Sequence, residues 1–301
     1  GRSGESSDNN SGASRMRYTC LFKPGLLCAL SLSAGISCPL SMAKADPYEA
    51  KIYGVTVWDG GTCTGSTRDS WDDMALGWYN EMGSSSWYYR KANVTNGNIA
   101  SYKYSDKSLV SWGDDTPYLD DADAAMVFWH GAESGNVYRG SMRLPNPSDN
   151  ACRLYQDDMQ VGDSDLEFLA LSSCQSMDDN QWSSWWQAFD GLHQADGFHG
   201  LMWISSGFVG DYEGFADDAF DDNIADAWLD NLYRPNVSGS DDQCPVAYGV
   251  GNGTADLWKR MDNERYDNVY SDPVTFTRWG VTFISGCDPA AETVINSDRS
   301  S

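Results

Sequence analysis

The chain has little positive charge and no apolar run long enough to cross a membrane. Its 301 residues include 20 Lys and Arg against 44 Asp and Glu, a formal net charge of −24. Nucleic acids and anionic membrane surfaces are polyanions, so this balance disfavours both as partners. It suits cationic substrates, metal ions or a salty medium. Hydrophobic residues at 41% and aromatic residues at 13% exclude an acidic disordered chain.

The sequence also lacks the short motifs that mark several enzyme classes. It has no Gly-rich phosphate-binding loop and no Gly-x-Ser-x-Gly nucleophile elbow. Its paired aspartates lack the spacing of an EF-hand loop, so a solvated surface is the preferred interpretation, with calcium at Asp-rich loops as the alternative. We expect no required cofactor and no metal site. The pairs are Asp120-Asp121, Asp217-Asp218, Asp221-Asp222 and Asp241-Asp242.

The first 45 residues have the composition of segments outside the mature fold. Residues 1–15 are rich in Ser, Gly and Asn, which is typical of a tag, a linker or upstream sequence. Residues 16–45 have a basic start, an apolar, Ser-rich middle and an Ala-x-Ala end, the pattern of a signal peptide. We predict a single domain over residues 46–301. We also predict a secreted protein, extracellular or, in a bacterial host, periplasmic, with no membrane partner after cleavage.

Loss of this leader would make the protein more acidic. Residues 1–45 hold five basic and two acidic residues, so 15 basic residues would remain against 42 acidic ones, a net charge of −27. Salt-adapted proteins have such Asp-rich, Lys-poor compositions, and ordinary acidic secreted proteins have them too. The composition favours neither of the two.

The cysteine count becomes informative once the leader is set aside. Three of the eight cysteines lie within residues 16–45. Export implies an oxidising compartment, in which cysteines tend to pair. An odd number remains, so at least one cysteine should stay outside the intramolecular disulfides, while any four allow three connectivities. The remaining cysteines are Cys63, Cys152, Cys174, Cys244 and Cys287.

Short apolar runs alternate with amphipathic segments along the rest of the chain. This alternation predicts an α/β fold with a mainly parallel central sheet flanked by helices. The predicted strands cover 51–58, 124–129, 166–171, 200–204 and 274–284. The predicted helices cover 70–82, with Ser70 as N-cap, and 180–189, 212–233 and 255–261.

Two of the predicted strands end in residues that carry chemistry. The run 124–129 is followed by His130-Gly131, and the run 166–171 by Ser-Ser-Cys174. Loops at the carboxyl ends of parallel strands meet at one edge of a sheet and build active sites there. If the two strands are neighbours, His130 and Cys174 face the same cleft.

Such a pair supplies what thiol catalysis needs. The thiolate is the nucleophile, and an ordinary thiol with a pKa of about 8.5 is mostly protonated at neutral pH. The His130 imidazole can take that proton and later deliver it to a leaving amine. Gly131 lets a substrate carbonyl approach the backbone, and its N–H can join that of Cys174 in an oxyanion hole.

The two motifs, in this order, resemble those of the caspase-like cysteine peptidases, which include caspases, metacaspases, legumain, clostripain, gingipains and separase. The resemblance covers about residues 122–176. It implies a three-layer caspase-like fold, with His130 as general acid and base, Cys174 as nucleophile, and the Gly131 and Cys174 amides as oxyanion donors. Ser172-Ser173 stands where caspases have Gln-Ala.

The segment after Cys174 is similar to that of secreted, uncharacterised caspase-like proteins, which have a Trp-containing helix and a Gly-Leu-His segment there. His193 ends that segment here, and a structural and a functional role for it are equally compatible with the sequence. Ser173 and Gln175 flank the nucleophile and are candidates for substrate or supporting contacts. If Cys174 is the nucleophile, the disulfide candidates are Cys63, Cys152, Cys244 and Cys287.

We therefore expect a secreted cysteine peptidase that hydrolyses protein or peptide substrates through a thioester, with basic P1 residues suggested by the acidic charge. The alternative is a non-catalytic binding module that holds a glycan or a protein on a Trp-rich surface. Core packing is the preferred interpretation of these tryptophans. They are Trp182, Trp185, Trp186, Trp203 and Trp228.

Overall fold

The computed structural model describes residues 14–21, 48–273 and 275–290, which form twelve β-strands and five α-helices. The strands are β1 (Arg15–Leu21), β2 (Tyr48–Gly54), β3 (Tyr88–Thr95), β4 (Ala124–Phe128), β5 (Gly131–Ser134), β6 (Val137–Ser141), β7 (Arg153–Tyr155), β8 (Phe168–Ser172), β9 (Gln194–His199), β10 (Arg234–Ser238), β11 (Asp241–Gly251) and β12 (Arg278–Ile284). The helices are α1 (Trp71–Met82), α2 (Trp182–Trp185), α3 (Val209–Asp221), α4 (Ile224–Leu232) and α5 (Thr254–Met261).

The central sheet has the order β3-β2-β4-β8-β9-β11-β12-β1, with β10 attached to β11. The strands from β3 to β9 are parallel, while β11, β12 and β1 are each antiparallel to their neighbours. The α/β fold with a large central sheet flanked by helices is therefore confirmed. The expectation of a mainly parallel sheet is wrong, because the sheet is mixed.

A break in one predicted helix explains why β11 runs antiparallel to β9. The expected helix 212–233 is two helices, since α3 ends at Asp221 and the Asn223 side chain caps α4 by accepting from the Asp226 amide. The two helices pack antiparallel, with Asn231 near the end of α4 beside Gly214 in the first half of α3 and Trp228 against Phe215. The chain thus returns to the edge that it left after β9, and β11 runs back along β9, with Cys244 opposite His199.

Other differences from the expected elements are local. Ser70 precedes α1 but makes no capping bond and has a φ of 68°, so it is not a conventional N-cap. Residues 200–204 form no strand, and the neighbouring β9 takes the expected place in the sheet. The segment of β9 contains a glycine and a buried aspartate, whose carboxylate accepts from Gln194. These polar residues obscured the strand in the sequence.

The sheet has a hydrophobic core on each face. On one face α1, α3 and α4 cover side chains such as Met126 and Phe128. On the other face Val127 and Trp129 pack with residues of α2 and of the small antiparallel sheet β5-β6-β7. Strand β4 is buried along its length, as expected of a strand covered on both faces.

The strand β1, Arg15–Leu21, crosses a boundary predicted from the sequence. It includes the last residue of the predicted upstream segment, 1–15, and the first six residues of the predicted signal peptide, 16–45. Its seven residues pair antiparallel with β12. Arg15 forms ion pairs with Asp226 and Asp230, and Arg17 does so with Asp262. Residues 1–13 and 22–47 lie outside the described ranges, so the leader stays a prediction.

None of the helices in the described ranges is long and apolar enough to span a membrane.

Candidate active site

The parallel pairing of β4 and β8 places the two sequence motifs side by side. Phe128 pairs with Ser172 at the carboxyl ends of these strands. His130 and Cys174 each follow two residues later. Both therefore lie at the same edge of the sheet, as the sequence predicted for neighbouring strands.

Gly131 forms the close contact between the motifs. A Cβ atom at this position would overlap the Cys174 carbonyl oxygen and the Ser173 hydroxyl. The Ser141 amide donates to the His130 carbonyl at 2.8 Å, so the next cross-strand pair, Gly131 with Gly140, is not hydrogen-bonded. The Gly131 N–H consequently points away from β6 and takes no part in the hydrogen bonds between β5 and β6.

The loop between β2 and α1, residues 55–70, orients the His130 imidazole. Its Nε2 is 2.6 Å from the Ser66 carbonyl oxygen. A carbonyl only accepts, so Nε2 carries the proton, and in the neutral ring Nδ1 is the proton acceptor. Trp58 of the loop stacks on the imidazole with a distance of 5.9 Å between the ring centroids, and Trp71 contacts it edge-on with a centroid distance of 5.5 Å.

The surroundings keep His130 neutral. Burial disfavours the imidazolium and lowers the pKa of His130 below its ordinary value of 6.5. The bond to Ser66 acts in the opposite direction, while the positive charge of Arg68 lowers the pKa further. A neutral ring at pH 7 can take a proton from a nearby thiol.

The Cys174 sulfur lies against the backbone of Met202. The Met202 N–H donates to Sγ at 3.4 Å, and the thiol donates to the Met202 carbonyl at 3.6 Å. The first bond stabilises negative charge on the sulfur, whereas the second exists only for the protonated thiol. Met202 belongs to the irregular segment after β9, so the ends of β4, β8 and β9 all contribute to the site.

Ser172 anchors the base of the site on the helical face. Its hydroxyl accepts from Trp71 Nε1 at 3.1 Å and shares a hydrogen bond of 2.7 Å with the Tyr212 hydroxyl. Trp71 also contacts His130, so one buried indole links the strand of Cys174 to the imidazole. This connection between α1 and α3 was not apparent from the sequence.

Ser173 closes a buried ring of hydrogen bonds on the opposite face. Trp129 Nε1 donates to the Tyr138 hydroxyl at 2.6 Å, and Tyr138 donates to Ser173 Oγ at 2.8 Å. Ser173 in turn donates to the Trp129 carbonyl at 2.8 Å. The ring joins the residue before His130 to the residue before Cys174, so Ser173 has a supporting role here.

Gln175 turns the chain sharply after the nucleophile. Its φ is 53°, in the left-handed region, and its N–H donates to the Gly200 carbonyl at 2.7 Å. Its side-chain oxygen accepts from the Glu133 amide at 3.2 Å. The Glu133 carboxylate accepts from Asn180, which places a negative charge beside this turn.

His193 is not part of this arrangement. It precedes β9, at the sheet edge opposite to Cys174, and its Nδ1 is 3.0 Å from Glu264. Burial opposes protonation, but the bonds to Asp272 and Glu264 outweigh it and raise the pKa of His193. The structure therefore does not bring His193 together with Cys174 and His130.

Four of the five cysteines after residue 45 form disulfides, Cys63–Cys152 and Cys244–Cys287. Cys174 belongs to neither. Both bridges lie near the carboxyl edge of the sheet, since Cys63 is in the β2–α1 loop and Cys244 pairs with His199. The cysteine outside these two disulfides is thus the one that lies at the same edge of the sheet as His130.

The tryptophans proposed as an alternative binding platform are mainly core residues. Trp185 and Trp228 are fully buried, and Trp182 and Trp186 are partly buried against the core.

No group of three or more His, Cys, Asp or Glu side chains suited to a metal ion occurs in the part of the chain that is described. In the Asp pairs, Asp121 binds Lys51 and Lys91, and Asp242 accepts from backbone amides.

Residues 62–284 match a family model described as a domain of unknown function, DUF6345. The matched span includes His130, Gly131 and Cys174 and ends with the last residue of β12. No curated protein matches the chain.

Proposed function

We propose that this chain, which belongs to the DUF6345 family, is a secreted cysteine peptidase with Cys174 as nucleophile and His130 as general acid and base. One observation carries the proposal. Cys174, which belongs to neither disulfide, follows β8 at the same edge of the sheet as His130, whose tautomer is set by a backbone carbonyl. A cysteine with a purely structural role needs no such neighbour.

The reaction follows from the groups present. The Cys174 sulfur attacks the peptide carbonyl carbon while His130 Nδ1 takes the thiol proton. The oxyanion is bound by the N–H groups of Gly131 and Cys174. The C–N bond breaks as the imidazolium protonates the leaving amine, which leaves a thioester. A water molecule, deprotonated by His130, then hydrolyses the thioester to a carboxylic acid and restores the thiol.

The resemblance to caspase-like peptidases supports the same assignment, because the residues of its two motifs lie at the ends of adjacent parallel strands here. Secretion is supported by the leader pattern and by the two disulfides, which form in oxidising compartments. Peptide or protein is the proposed substrate, and no cofactor takes part in the steps above.

A thiol-directed activity probe tests the assignment. The wild-type protein should be labelled at Cys174, and labelling should be lost in Cys174→Ala and strongly reduced in His130→Asn. In the uncleaved chain, which retains residues 16–45, Cys20→Ala is the matched control, because Cys20 lies on β1 away from the site and its loss should not change labelling. If wild type and Cys174→Ala are labelled equally, the peptidase assignment fails.

A preference for basic P1 residues is part of the proposal. The net charge of −27 expected after loss of residues 1–45 and the Glu133 carboxylate beside the turn after Cys174 support it. A peptide library should show cleavage after Arg or Lys, and Glu133→Gln should weaken that preference. Asp157→Asn, an exposed change elsewhere, should leave it unchanged. Cleavage after Asp would contradict the preference.

A non-catalytic binding module is the second candidate. The exposed aromatic residues Trp87 and Tyr89, 50% and 41% accessible at the β3 edge, favour it. Under this alternative, Trp87→Ala would abolish binding of a glycan or protein, and Cys174→Ala would have no effect on any activity.

A further inference from the structure

We propose that Arg143 is a positioning residue for the His130–Cys174 site and that the Cys63–Cys152 disulfide makes this site redox-dependent. The inference rests on the proposed function, because it concerns how the general base is held. The bridge lies outside the reacting groups and acts by holding the loop that contacts His130.

The β2–α1 loop, all of which is described, contains no helix or strand. It nevertheless supplies the Ser66 carbonyl and the Trp58 ring that hold His130. Its own start is tied by Asn96, whose side-chain oxygen accepts from the amides of Thr56 and Val57 at 2.8 Å. The part between Val57 and Ser66 needs other contacts to keep its shape.

Arg143 provides these contacts. Its guanidinium donates to the carbonyls of Val57 at 3.1 Å and Asp59 at 2.9 Å, and to that of Gly97 at 3.4 Å. Its own carbonyl accepts from the Cys63 amide at 3.1 Å. The planar fork of an arginine can serve three carbonyls at once, whereas a lysine ammonium cannot reproduce this geometry.

The disulfide adds a covalent tie at the same place. Cys63 is in the loop, and Cys152 lies in the connection between β6 and β7, where its carbonyl accepts from Met142 at 3.0 Å. The small sheet β5-β6-β7 begins directly after His130. The disulfide therefore links the loop that orients the imidazole to the small sheet that begins at the residue after His130.

Reduction removes the covalent tie. A dithiol reductant converts the Cys63–Cys152 bond into two thiols and is itself oxidised to a cyclic disulfide. The middle of the loop, between Val57 and Cys63, is then fixed to the rest of the chain by the hydrogen bonds of Arg143 without a covalent link, and the Ser66 and Trp58 contacts to His130 loosen. Mild reductant keeps Cys174 as a thiol, so activity should pass through a maximum as reductant increases.

The test compares Arg143→Met and Cys63→Ser/Cys152→Ser with the wild-type chain. Arg153→Met is the matched control, because Arg153 is an exposed arginine of β7 that donates to Tyr155. Two readouts apply: the NMR titration of His130, one of only three histidines, and the alkylation rate of Cys174. Both are measurable without a known substrate.

We expect the pKa of His130 to rise toward 6.5 in Arg143→Met and in the double Ser variant, because burial is the largest cause of its lowering. Alkylation of Cys174 at pH 7 should slow by about tenfold, since small displacements of a catalytic group have large effects on rate. Arg153→Met should match the wild type.

Unchanged His130 titration and unchanged alkylation in both variants would overturn the inference. If Arg143→Met does not fold, Arg143→Lys decides, with an expected intermediate effect. The proposed function fails on a different result: Cys174 is alkylated at the same rate in His130→Asn as in the wild-type chain. The His130 titration would still show whether Arg143 positions the ring.

Discussion

His130 is the residue whose environment is most specific to the proposed chemistry. Its Nε2 proton is donated to Ser66, two indoles contact its ring, and a positive charge lies near it at Arg68. Each of these neighbours acts on the same equilibrium, the protonation of the imidazole. Burial and the charge of Arg68 lower the pKa of His130 and outweigh the opposing effect of the Ser66 bond, so the ring is neutral at pH 7.

This environment leads to a titration prediction. Burial lowers the pKa of His130, so the ring should be neutral above a pH that lies below 6.5, whereas His193 should titrate above that value. Arg68→Gln removes a repelling charge and should raise the pKa of His130. NMR titration of the imidazole protons measures the pKa of His130, that of His193 and that of His130 in Arg68→Gln. A His130 pKa above that of His193 would contradict the assignment.

Tyr138 is predicted to matter for stability. Tyr138→Phe removes the hydroxyl between Trp129 and Ser173 and leaves two buried polar groups with one partner fewer. We expect a loss of about 1–3 kcal/mol in the free energy of unfolding, measured by urea denaturation. In the control Tyr155→Phe, the lost hydroxyl binds Arg153 at the surface, and the loss should be much smaller. Equal effects would show that the ring is not stabilising.

The sequence predicted some of these residues and could not predict others. His130, Gly131 and Cys174 were recognisable because a reactive residue follows a buried strand. Ser66 and Met202 act through backbone groups, which any residue type possesses, so their side chains give no signal. The role of Ser173 depends on Tyr138, which is distant in sequence.

At the scale of elements, the break between α3 and α4 has the largest consequence. The periodic apolar residues of 212–233 predicted one helix, because the register continues across the break. The polar residues Asp222 and Asn223 sit at the interruption, and Asn223 is a favourable N-cap. Two helices rather than one return β11 to the sheet antiparallel, which is why the sheet is mixed.

A cap substitution tests this explanation. Asn223→Ala removes the acceptor for the Asp226 amide, bonded at 2.8 Å, and should lower the free energy of unfolding by about 1 kcal/mol. Asn223→Ser is the matched control, because serine is also a good N-cap and should retain most of the stability. Chemical denaturation of both variants gives the comparison, and an alanine variant as stable as the serine variant would argue against the cap.

At the scale of the whole molecule, acidity governs stability more than it governs the reaction. Burial and nearby carboxylates raise the pKa of Glu167 to about 9, and burial raises those of Asp115 and Asp123 to about 7. These groups bind protons more tightly in the folded chain than in the unfolded one. The stability that these groups contribute to the fold is present below about pH 4 and is lost as pH rises through about 7 to 9.

We therefore expect the thermal midpoint to fall between pH 5 and pH 8. The net charge of −24 acts in the same direction, because repulsion grows as carboxyls ionise. Sodium chloride should raise the midpoint at pH 8, since salt screens exposed charges. Glu167→Gln should reduce the pH dependence, whereas Asp157→Asn should not. A midpoint that rises from pH 5 to pH 8 would contradict this prediction.

The most direct test of the central claim is the rate at which Cys174 reacts with iodoacetamide at pH 7, followed by mass spectrometry. Cys174 should be alkylated about tenfold faster in the folded protein than in urea, because an activated cysteine is enriched in thiolate. His130→Asn should abolish that advantage. Slower alkylation in the folded state than in urea, with no change in His130→Asn, would contradict the account.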